Sequence, residues 1–420
     1  MSGSTAVKIL LCLLVMGNRA GAQPEAGMPA TGNQAWTELQ RYFHQAVDEG
    51  QLPGIVMVVS NGDRELTDAY GMQYAEKGLA MQTNTIFRIA SMTKPIVSTV
   101  AMMLYEEGRL DLDDPVSKYI PAFEKTFVFV PSEDGAGGRM EAMAPVTIRH
   151  LLMHTSGLSA VGFAGPPFDE MYQNLLTPPP VGLEDMVDRL AKAPFLHQPG
   201  EGWSYGHSLD VVGRVIEVIT GKRLDQVLEE RIFDPLDMKD TGFSVPANKI
   251  SRFAAGYGID GEGKWALQDA PGESRYVKGP VFPRGNGGLV STVRDYLRFA
   301  RMMANGGELA GRRYLQQKTV ALMMHNHLPE ELIPIKVGKV TMNSQGFGIG
   351  FGVLTEDTPY GGMKGDCFWP GAYFTYFFIN PETGTTGVFM CQNSDLSRLK
   401  YLFDFHGMAN RVFPAGAAEK

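Results

Sequence analysis

The chain has 420 residues, of which 44% are hydrophobic and 20% charged, and its formal net charge is −8. This length and composition are those of a globular protein with one large domain, or with two that share a core. Since the chain is acidic and has no cluster of basic residues, we expect neither nucleic acid nor an anionic membrane as a partner.

The first 22 residues have the pattern of a secretory signal peptide. Lys8 precedes the apolar run ILLCLLVM, and the small residues AGA end at position 22. This run is shorter than the roughly 20 apolar residues of a transmembrane helix, which leaves a buried N-terminal helix as the alternative. Cys12 follows a bulky leucine, which argues against a lipid anchor. We therefore expect an exported mature chain that starts near Gln23, periplasmic or secreted, without a stable membrane anchor.

Two β-rich segments near the start of the mature chain predict a hairpin. They are GIVMVVSNG (54–62) and RELTDAYG (64–71), which meet at an Asn-Gly-Asp turn. Asn-Gly between such segments is a strong hairpin signal.

The segments between the two ends of the chain are mostly helical in pattern. Residues 95–110 are apolar around most of their surface, while 208–221 and 291–307 carry an apolar stripe and end at glycine. Residues 131–145 and 164–182 have no periodic pattern, and we expect them to form surface loops.

Three more strands are predicted near the other end, at 347–354, 367–380 and 385–393. The two cysteines left after export, Cys367 and Cys391, would lie on the last two of these strands. Folding that hairpin places Cys391 opposite residue 374, well away from Cys367, so we expect no disulfide.

Strands at both ends of the chain with helices between them predict an α+β fold. The expected architecture is an antiparallel sheet flanked by helices, with an inserted, mostly helical region. We assign the sheet region to about 35–125 and 285–415, and the helical insert to about 126–284.

Ser91 and Lys94 stand one helical turn apart in FRIASMTKP, at the head of the first predicted helix. A serine hydroxyl is a weak nucleophile until a base takes its proton, and burial pushes a lysine toward its neutral, basic form. A serine that caps a helix near a lysine is the alternative. Spacing alone does not decide between them, because Ser397 and Lys400 repeat it without an apolar helix behind them.

Other segments of the sequence support a catalytic interpretation of FRIASMTKP. FRIASMTKP resembles the nucleophile segment of the penicillin-recognising serine hydrolases, nearest to the class C β-lactamases and the related family VIII esterases. Segments similar to that family follow in its order: LLMHTSGL, PGEGWSYGHSLDVVGRVIEVITG, FDPLDMKDTGF, GNGGLVSTVRDYLRFARMM and GFGIGFGV. The resemblance implies a β-lactamase/transpeptidase-like domain over about residues 35–415.

The resemblance also implies a catalytic set of Ser91, Lys94 and Tyr205. Tyr205 follows PGEGWS at the start of a predicted helix, and we expect its phenolate, with a pKa lowered by the nearby ammonium, to act as partner base. The family's Tyr-x-Asn is here Tyr-Gly-His, so His207 either donates a hydrogen bond to the substrate or faces solvent. Tyr172 begins a literal Tyr-x-Asn, but the flanking pattern is missing, and we interpret it as a coincidence.

The family's third element is a strand with Lys-Thr-Gly, or with His/Trp-x-Gly in esterase-like members. Here Trp369, Gly371 and Ala372 take that place. The resemblance implies that Gly371 lets the strand backbone approach the substrate, and that the N–H groups of Ala372 and Ser91 form the oxyanion hole. A thick aromatic core strand without a catalytic role is the alternative.

Two residues of this strand depart from the pattern. Pro370 removes a backbone donor, which confines it to a side where no ladder bond is needed. Phe374 stands where many relatives have glycine, and we expect it to crowd the cleft wall. The missing lysine would have held a substrate carboxylate, so its replacement by Trp369 favours ester substrates with a neutral acyl group, unless Arg284 supplies a charge.

Other polar residues are interpreted as structural. In HTSGL, Ser156 and Gly157 are typical of a turn, so we assign His154 no catalytic role. The histidines of MMHNHL (323–328) have no acids beside them, and the glycine-rich segments follow no phosphate-binding pattern. We expect no metal and no cofactor.

The sequence thus predicts an exported serine hydrolase that forms an acyl-enzyme with small-molecule ester or amide substrates. A β-lactamase or a D-amino-acid-specific peptidase would use the same residues on a lactam or a peptide. A binding protein that kept the fold without catalysis is the alternative of another class.

Overall fold

The computed structural model describes residues 32–131, 137–279 and 282–414. The predicted signal peptide lies outside these residues, so its assignment stays a prediction. Within the three ranges, no helix is both long enough and apolar enough to cross a bilayer.

An eight-stranded antiparallel sheet forms the centre of the fold, and its strands come from both ends of the chain. In chain order the strands are β1 (Gly54–Asn61), β2 (Arg64–Tyr74), β3 (Leu79–Ala80), β4 (Gln345–Phe347), β5 (Gly352–Leu354), β6 (Cys367–Gly371), β7 (Thr375–Ile379) and β8 (Thr385–Met390). Their order across the sheet is β4-β5-β6-β7-β8-β1-β2-β3. Val56 of β1 pairs with Met390 of β8, which confirms that the sheet joins the two ends of the sequence.

Strand β1 is buried on both faces, because the sheet is covered by helices on each side. Successive side chains of a strand point to opposite faces. Accordingly Ile55, Met57 and Val59 lie in the core that includes the terminal helices, and Val56 and Val58 lie in the other core. The turn to β2 is the predicted Asn-Gly turn, with Gly62 at φ +58°.

Eleven helices are present in the described residues. They are α1 (Gly32–Asp48), α2 (Thr93–Glu106), α3 (Ile148–Leu152), α4 (Phe168–Leu175), α5 (Leu183–Leu190), α6 (Ser208–Thr220), α7 (Leu224–Leu228), α8 (Arg275–Lys278), α9 (Val293–Ala304), α10 (Gln317–Met323) and α11 (Lys400–Asn410). Helices α1 and α11 cover one face of the sheet, and α2 and α9 contribute to the core on the other. The predicted helices at 95–110, 208–221 and 291–307 are confirmed as α2, α6 and α9.

Five small antiparallel strand pairs lie outside the central sheet in the described residues. They are Phe87–Arg88 with Val290–Ser291, Phe127–Val130 with Gly138–Glu141, Gly256–Ile259 with Trp265–Asp269, Glu308–Leu309 with Arg312–Arg313, and Ile335–Val337 with Val340–Met342. Two of these pairs lie in the region assigned to the helical insert, which is therefore not purely helical. The division of the chain into sheet region and insert stays a prediction.

Two predicted strands and two predicted loops were wrong in detail. The strand predicted at 347–354 is instead two short strands, β4 and β5, which span 345–354 and are separated by a turn in which Gly350 has φ +84°. Residues 367–380 form a hairpin of β6 and β7, and its turn follows Pro370-Gly371 within an otherwise aromatic run that was predicted as one strand. The expected loops contain a strand at Gly138–Glu141 and helix α4, neither of which is long enough to show a clear period.

Both cysteines are free and buried. As predicted, Cys391 lies opposite Phe374, whose carbonyl oxygen accepts the Cys391 N–H at 3.2 Å. The two cysteines are not on neighbouring strands, because β7 runs between β6 and β8.

Candidate active site

Ser91 lies in a 3₁₀ turn, Ala90–Met92, directly before helix α2. Ala90 has φ +44°, a left-handed conformation that is costly for a residue with a side chain. The Thr93 hydroxyl donates to the Ala90 carbonyl oxygen at 2.7 Å and holds this turn. The chain thereby reverses between a short strand and a buried helix, and it presents a half-buried Ser91 at the helix start.

Lys94 extends from the first turn of α2 back to Ser91. Its Nζ lies 3.2 Å from Ser91 Oγ and donates to the Asn286 carbonyl oxygen at 2.8 Å. The side chain is 1% exposed, and burial lowers the pKa of Lys94 well below its usual value, although Asp210 acts in the opposite direction. The lowered pKa favours the neutral amine, which is the form that can accept a proton from a serine hydroxyl.

Tyr205 lies just before α6, and its ring packs against Lys94. The Lys94 Nζ stands 4.4 Å from the centre of this ring. The indole N–H of Trp369 donates to the Tyr205 hydroxyl oxygen at 3.2 Å, and Ser91 lies close enough to lower the pKa of the Tyr205 hydroxyl.

Tyr205 is a neutral phenol, so the predicted phenolate is wrong. Burial raises the pKa of Tyr205 to about 12, although the hydrogen bonds with Ser91 and Trp369 lower it. Burial also lowers the pKa of Lys94, so the ammonium that was expected to stabilise a phenolate is itself disfavoured. The pair thus combines a neutral amine with a neutral phenol.

The end of β6 lies against the turn Ala90–Met92 that carries Ser91, called here the nucleophile turn after the candidate role of this serine. A Cβ atom on Gly371 would stand 2.4 Å from the Ile89 carbonyl oxygen and 2.2 Å from Thr375 Oγ1, so glycine is required for this approach. Ala372 follows in the exposed turn between β6 and β7. Both residues therefore lie beside the segment that carries Ser91, while their role in an oxyanion hole stays a prediction.

Pro370 is accommodated as predicted. It pairs with Tyr376 of β7, whereas β5 pairs with β6 only at Cys367 and Phe368. Pro370 therefore has a ladder partner on one side alone within the described residues.

Phe374 does not crowd the cleft, contrary to expectation. Its side chain is fully buried in the core formed with α1 and α11, where it contacts Phe389. This core lies on the face of the sheet opposite to Trp369. Phe374 has φ +66°, a left-handed backbone conformation that glycine adopts without strain.

His207 is 5% exposed, so the expectation that it faces solvent is wrong. Its Nδ1 lies 2.8 Å from an oxygen of Asp210, which is itself fully buried. Burial lowers the pKa of His207, and the ring is neutral. This hydrogen bond assigns His207 to a network beneath the site; contact with a substrate stays a prediction.

Asp210 and Arg284 form an ion pair beneath Lys94 that the sequence did not predict. The guanidinium lies 3.0 Å from the Asp210 carboxylate, and it lowers the pKa of Asp210 far below its usual value against the opposing effect of burial. The sequence feature that could have revealed Asp210 was an acidic residue on the buried stripe of an amphipathic helix. In a sequence, such an acid is easily taken for a group that complements the helix dipole.

The remaining candidates have structural partners. Leu158 N–H donates to Ser156 Oγ at 3.2 Å, and Gly157 has φ +88°, as expected for a turn. The Tyr172 hydroxyl accepts the Ser159 N–H at 3.0 Å from within α4. His154 packs 5.0 Å from the ring of Tyr205, but its ring nitrogens have no hydrogen-bond partner in the described part of the chain.

Aromatic side chains form a wall on the Tyr205 side of the site. Their ring centres lie 5 to 6 Å from that of Tyr205 or Trp369, and they are Phe163, Trp203 and Phe347. Trp203 and Phe163 are partly exposed. The wall gives the site an apolar side that suits an uncharged organic group.

Comparison with known proteins finds similar chains over nearly the whole length. The family model described as Beta-lactamase matches residues 39–403. Protein Rv1367c of Mycobacterium tuberculosis is 35% identical over 389 residues, which cover 88% of this chain and 92% of that protein. Esterase EstB of Burkholderia gladioli is 32% identical over 377 residues, covering 82% and 87%. The solved structure of EstCE1, a hydrolase with promiscuous acyltransferase activity, has a TM-score of 0.76 at 26% identity, covering 91% and 99%.

Proposed function

Because the chain belongs to the beta-lactamase family of serine hydrolases and has esterase relatives, we propose that it hydrolyses carboxylic esters through an acyl-enzyme on Ser91. One observation carries this proposal. A buried, neutral Lys94 amine lies 3.2 Å from the Ser91 hydroxyl at the start of a helix. This is the arrangement that an activated serine requires.

Acylation starts with proton transfer from Ser91 Oγ to Lys94 Nζ. The Oγ atom forms a bond with the ester carbonyl carbon, and the carbonyl oxygen takes the negative charge. The positive end of the α2 dipole and the N–H groups of Ser91 and Ala372 stabilise this oxyanion. The developing ammonium on Lys94 donates to the Asn286 carbonyl oxygen, which already accepts from Nζ.

Tyr205 supplies the proton for the leaving group. Its neutral hydroxyl donates to the departing alkoxide as the C–O bond breaks, and it regains a proton from Lys94. A water molecule then attacks the acyl carbon, gives its proton to the same pair, and releases the acid and Ser91. An alcohol in place of water would yield acyl transfer, the side activity named for EstCE1.

An ester with an uncharged acyl group fits the site better than a carboxylate-bearing lactam. Arg284, suggested by the sequence as a substitute cation, is paired with Asp210 at 3.0 Å. Trp369 presents an indole where the resemblance implies a lysine in the lactam-binding members, and the aromatic wall continues this apolar side. A substrate carboxylate would lose its hydration here without gaining a free partner.

A panel of chromogenic substrates tests the proposal. We expect the purified chain to hydrolyse short-chain p-nitrophenyl esters and to leave a chromogenic cephalosporin and a D-alanyl peptide largely intact. Faster turnover of the cephalosporin or the peptide would reassign the substrate class. No turnover of any of the three, together with no labelling by a serine-directed phosphonate, would favour a binding protein instead.

We also propose that the chain is exported, on the strength of the signal-peptide pattern alone. Expression in a Gram-negative host followed by fractionation and N-terminal sequencing tests this. The expected result is a periplasmic protein that starts near Gln23. An uncleaved N-terminus in the cytoplasmic fraction would contradict it.

A further inference from the structure

A buried carboxylate lies one hydrogen-bonded residue away from the Lys94 amine. Asp210 Oδ1 accepts the backbone N–H of Asn286 at 2.9 Å, and the carbonyl oxygen of the same Asn286 accepts from Lys94 Nζ at 2.8 Å. The carboxylate therefore fixes the peptide group whose carbonyl oxygen accepts the hydrogen bond from the amine.

The loop that carries Asn286 is pressed onto the start of α6. A Cβ atom on Gly285 would stand 1.8 Å from the Leu209 carbonyl oxygen, so no larger residue fits without moving the loop. This close packing is independent of the hydrogen bonds of Asp210, and it shows that the loop and the helix start hold each other in one position.

Two opposite charges face Lys94 across this loop. Asp210 is fully buried, while Arg284 is about one-third exposed and reaches the carboxylate through Nη2 at 3.0 Å and Nε at 3.4 Å. The other titratable groups around Lys94 and Asp210 come from the nucleophile turn, the end of α3 and the start of α6: Ser91, His154, Tyr205 and His207. Burial keeps both histidines and the tyrosine neutral, so Asp210 and Arg284 are the fixed charges of this set.

We propose that Asp210 is a positioning residue for the general base: it holds the Asn286 carbonyl against Lys94 and, with Arg284, sets the charge that Lys94 faces. The inference rests on the proposed function, in which Lys94 takes the Ser91 proton. Asp210 touches neither Ser91 nor the substrate, and it acts through the peptide group of Asn286 and through its field. The negative charge favours the protonated amine, and Arg284 disfavours it, as the opposite effects of the two groups on the pKa of Lys94 indicate.

The two charges predict pH shifts of opposite sign. Ser91 reacts only when Lys94 is neutral, so the rate of its reaction with a phosphonate rises with pH through the apparent pKa of Lys94. Asp210→Asn removes the negative charge and should move this rise to lower pH by about one unit. Arg284→Gln removes the positive charge and should move the rise to higher pH by a similar amount, about one unit.

The experiment measures the rate at which a phosphonate labels Ser91 as a function of pH. Intact-mass spectrometry on the full chain follows the labelling. Asp295→Asn is the matched control, since Asp295 is a buried acid at the start of another helix, bonded to Thr292 and Asp240 and away from Lys94. Its profile should coincide with that of the unmodified chain. The double variant, Asp210→Asn with Arg284→Gln, should return near the original position with a slower limiting rate, because the Asn286 peptide is held less firmly.

Shifts of opposite sign in the two single variants support the inference. Equal profiles, or shifts of the same sign, would overturn it and leave Asp210 a purely structural residue. Should Asp210→Asn fail to fold, Arg284→Gln still provides a test. Its guanidinium is partly exposed, so its removal disturbs the fold less, and the inference requires the labelling profile of this variant to shift to higher pH. Absence of labelling in the unmodified chain would instead overturn the proposed function, so the two failures are distinguishable.

Discussion

The indole N–H of Trp369 donates to the hydroxyl oxygen of Tyr205 across 3.2 Å, and so links the end of β6 to the start of α6. The bond joins two segments 164 residues apart in the chain. It also lowers the pKa of Tyr205 against the larger effect of burial. Trp369 thus has a hydrogen-bond partner in the candidate catalytic set.

Trp369→Phe removes this donor and keeps an aromatic ring. We expect kcat/KM for a p-nitrophenyl ester to fall about tenfold, the equivalent of one hydrogen bond of about 1.4 kcal/mol. Trp203→Phe is the matched control, because the Trp203 N–H has no hydrogen-bond partner in the part of the chain described here and its ring stacks on the same tyrosine. Equal losses in the two variants would mean that ring size, and not the hydrogen bond, matters.

Gly371→Ala should strongly reduce activity, while the protein still folds and unfolds cooperatively. The added Cβ would lie 2.4 Å from the Ile89 carbonyl oxygen, so β6 must move away from the nucleophile turn. We expect a loss of about 100-fold in kcat/KM, as misplacement by about 1 Å commonly produces. Gly272→Ala serves as control, since a Cβ there meets open space. Activity within a factor of about two of the original would show that the strand end does not position the substrate.

Two substitutions at Phe374 test the packing of its side chain and the left-handed conformation of its backbone. Phe374→Ala should lower the free energy of unfolding by about 3 to 5 kcal/mol, because the side chain is fully buried between the sheet and the terminal helices. Phe374→Gly should be about 1 kcal/mol less damaging than Phe374→Ala, since glycine adopts φ +66° without strain. Urea denaturation measures both. A glycine variant less stable than the alanine variant would contradict the left-handed backbone at this position.

Lys94→Met should abolish activity and stabilise the fold. In the unfolded chain Lys94 keeps its proton up to the usual pKa of a lysine, whereas in the folded chain burial lowers this pKa and the amine loses its proton at lower pH. The unfolded state therefore binds more protons between the two pKa values, and stability rises with pH across that interval. The methionine variant loses this slope and gains about 1 kcal/mol at neutral pH, a typical effect of relaxing a functional site. Denaturation at several pH values checks it, and a less stable variant with an unchanged slope would refute it.

Local signals in the sequence predicted much of the fold. The Asn-Gly turn, the buried helix behind Ser91 and the glycine that ends α6 are short-range features, and each is present. That one sheet joins the two ends of the chain was inferred from strands at both ends, and the structure shows that β1 pairs with β8. The turn at 372–374 was missed because Phe374 takes a conformation that is rare for an aromatic residue.

The electrostatics of the site could not be predicted in the same way. The protonation of Tyr205 depends on how completely it is buried, and burial is a property of the whole fold. The ion pair of Asp210 and Arg284 joins residues 74 positions apart. His207 was expected to bind substrate or to face solvent, and its partner is this acid three residues later.

The duplicated Ser-x-x-Lys spacing permits the most direct test of the central assignment, that Ser91 is the nucleophile. Ser397 Oγ is bonded to Asp395, and Lys400 Nζ donates to Tyr42, so the second pair is not assembled. Incubation with a serine-directed p-nitrophenyl phosphonate and intact-mass spectrometry should show one adduct on the unmodified chain and on Ser397→Ala, and none on Ser91→Ala. An adduct that persists on Ser91→Ala, or a variant that still hydrolyses esters at the full rate, would contradict the account.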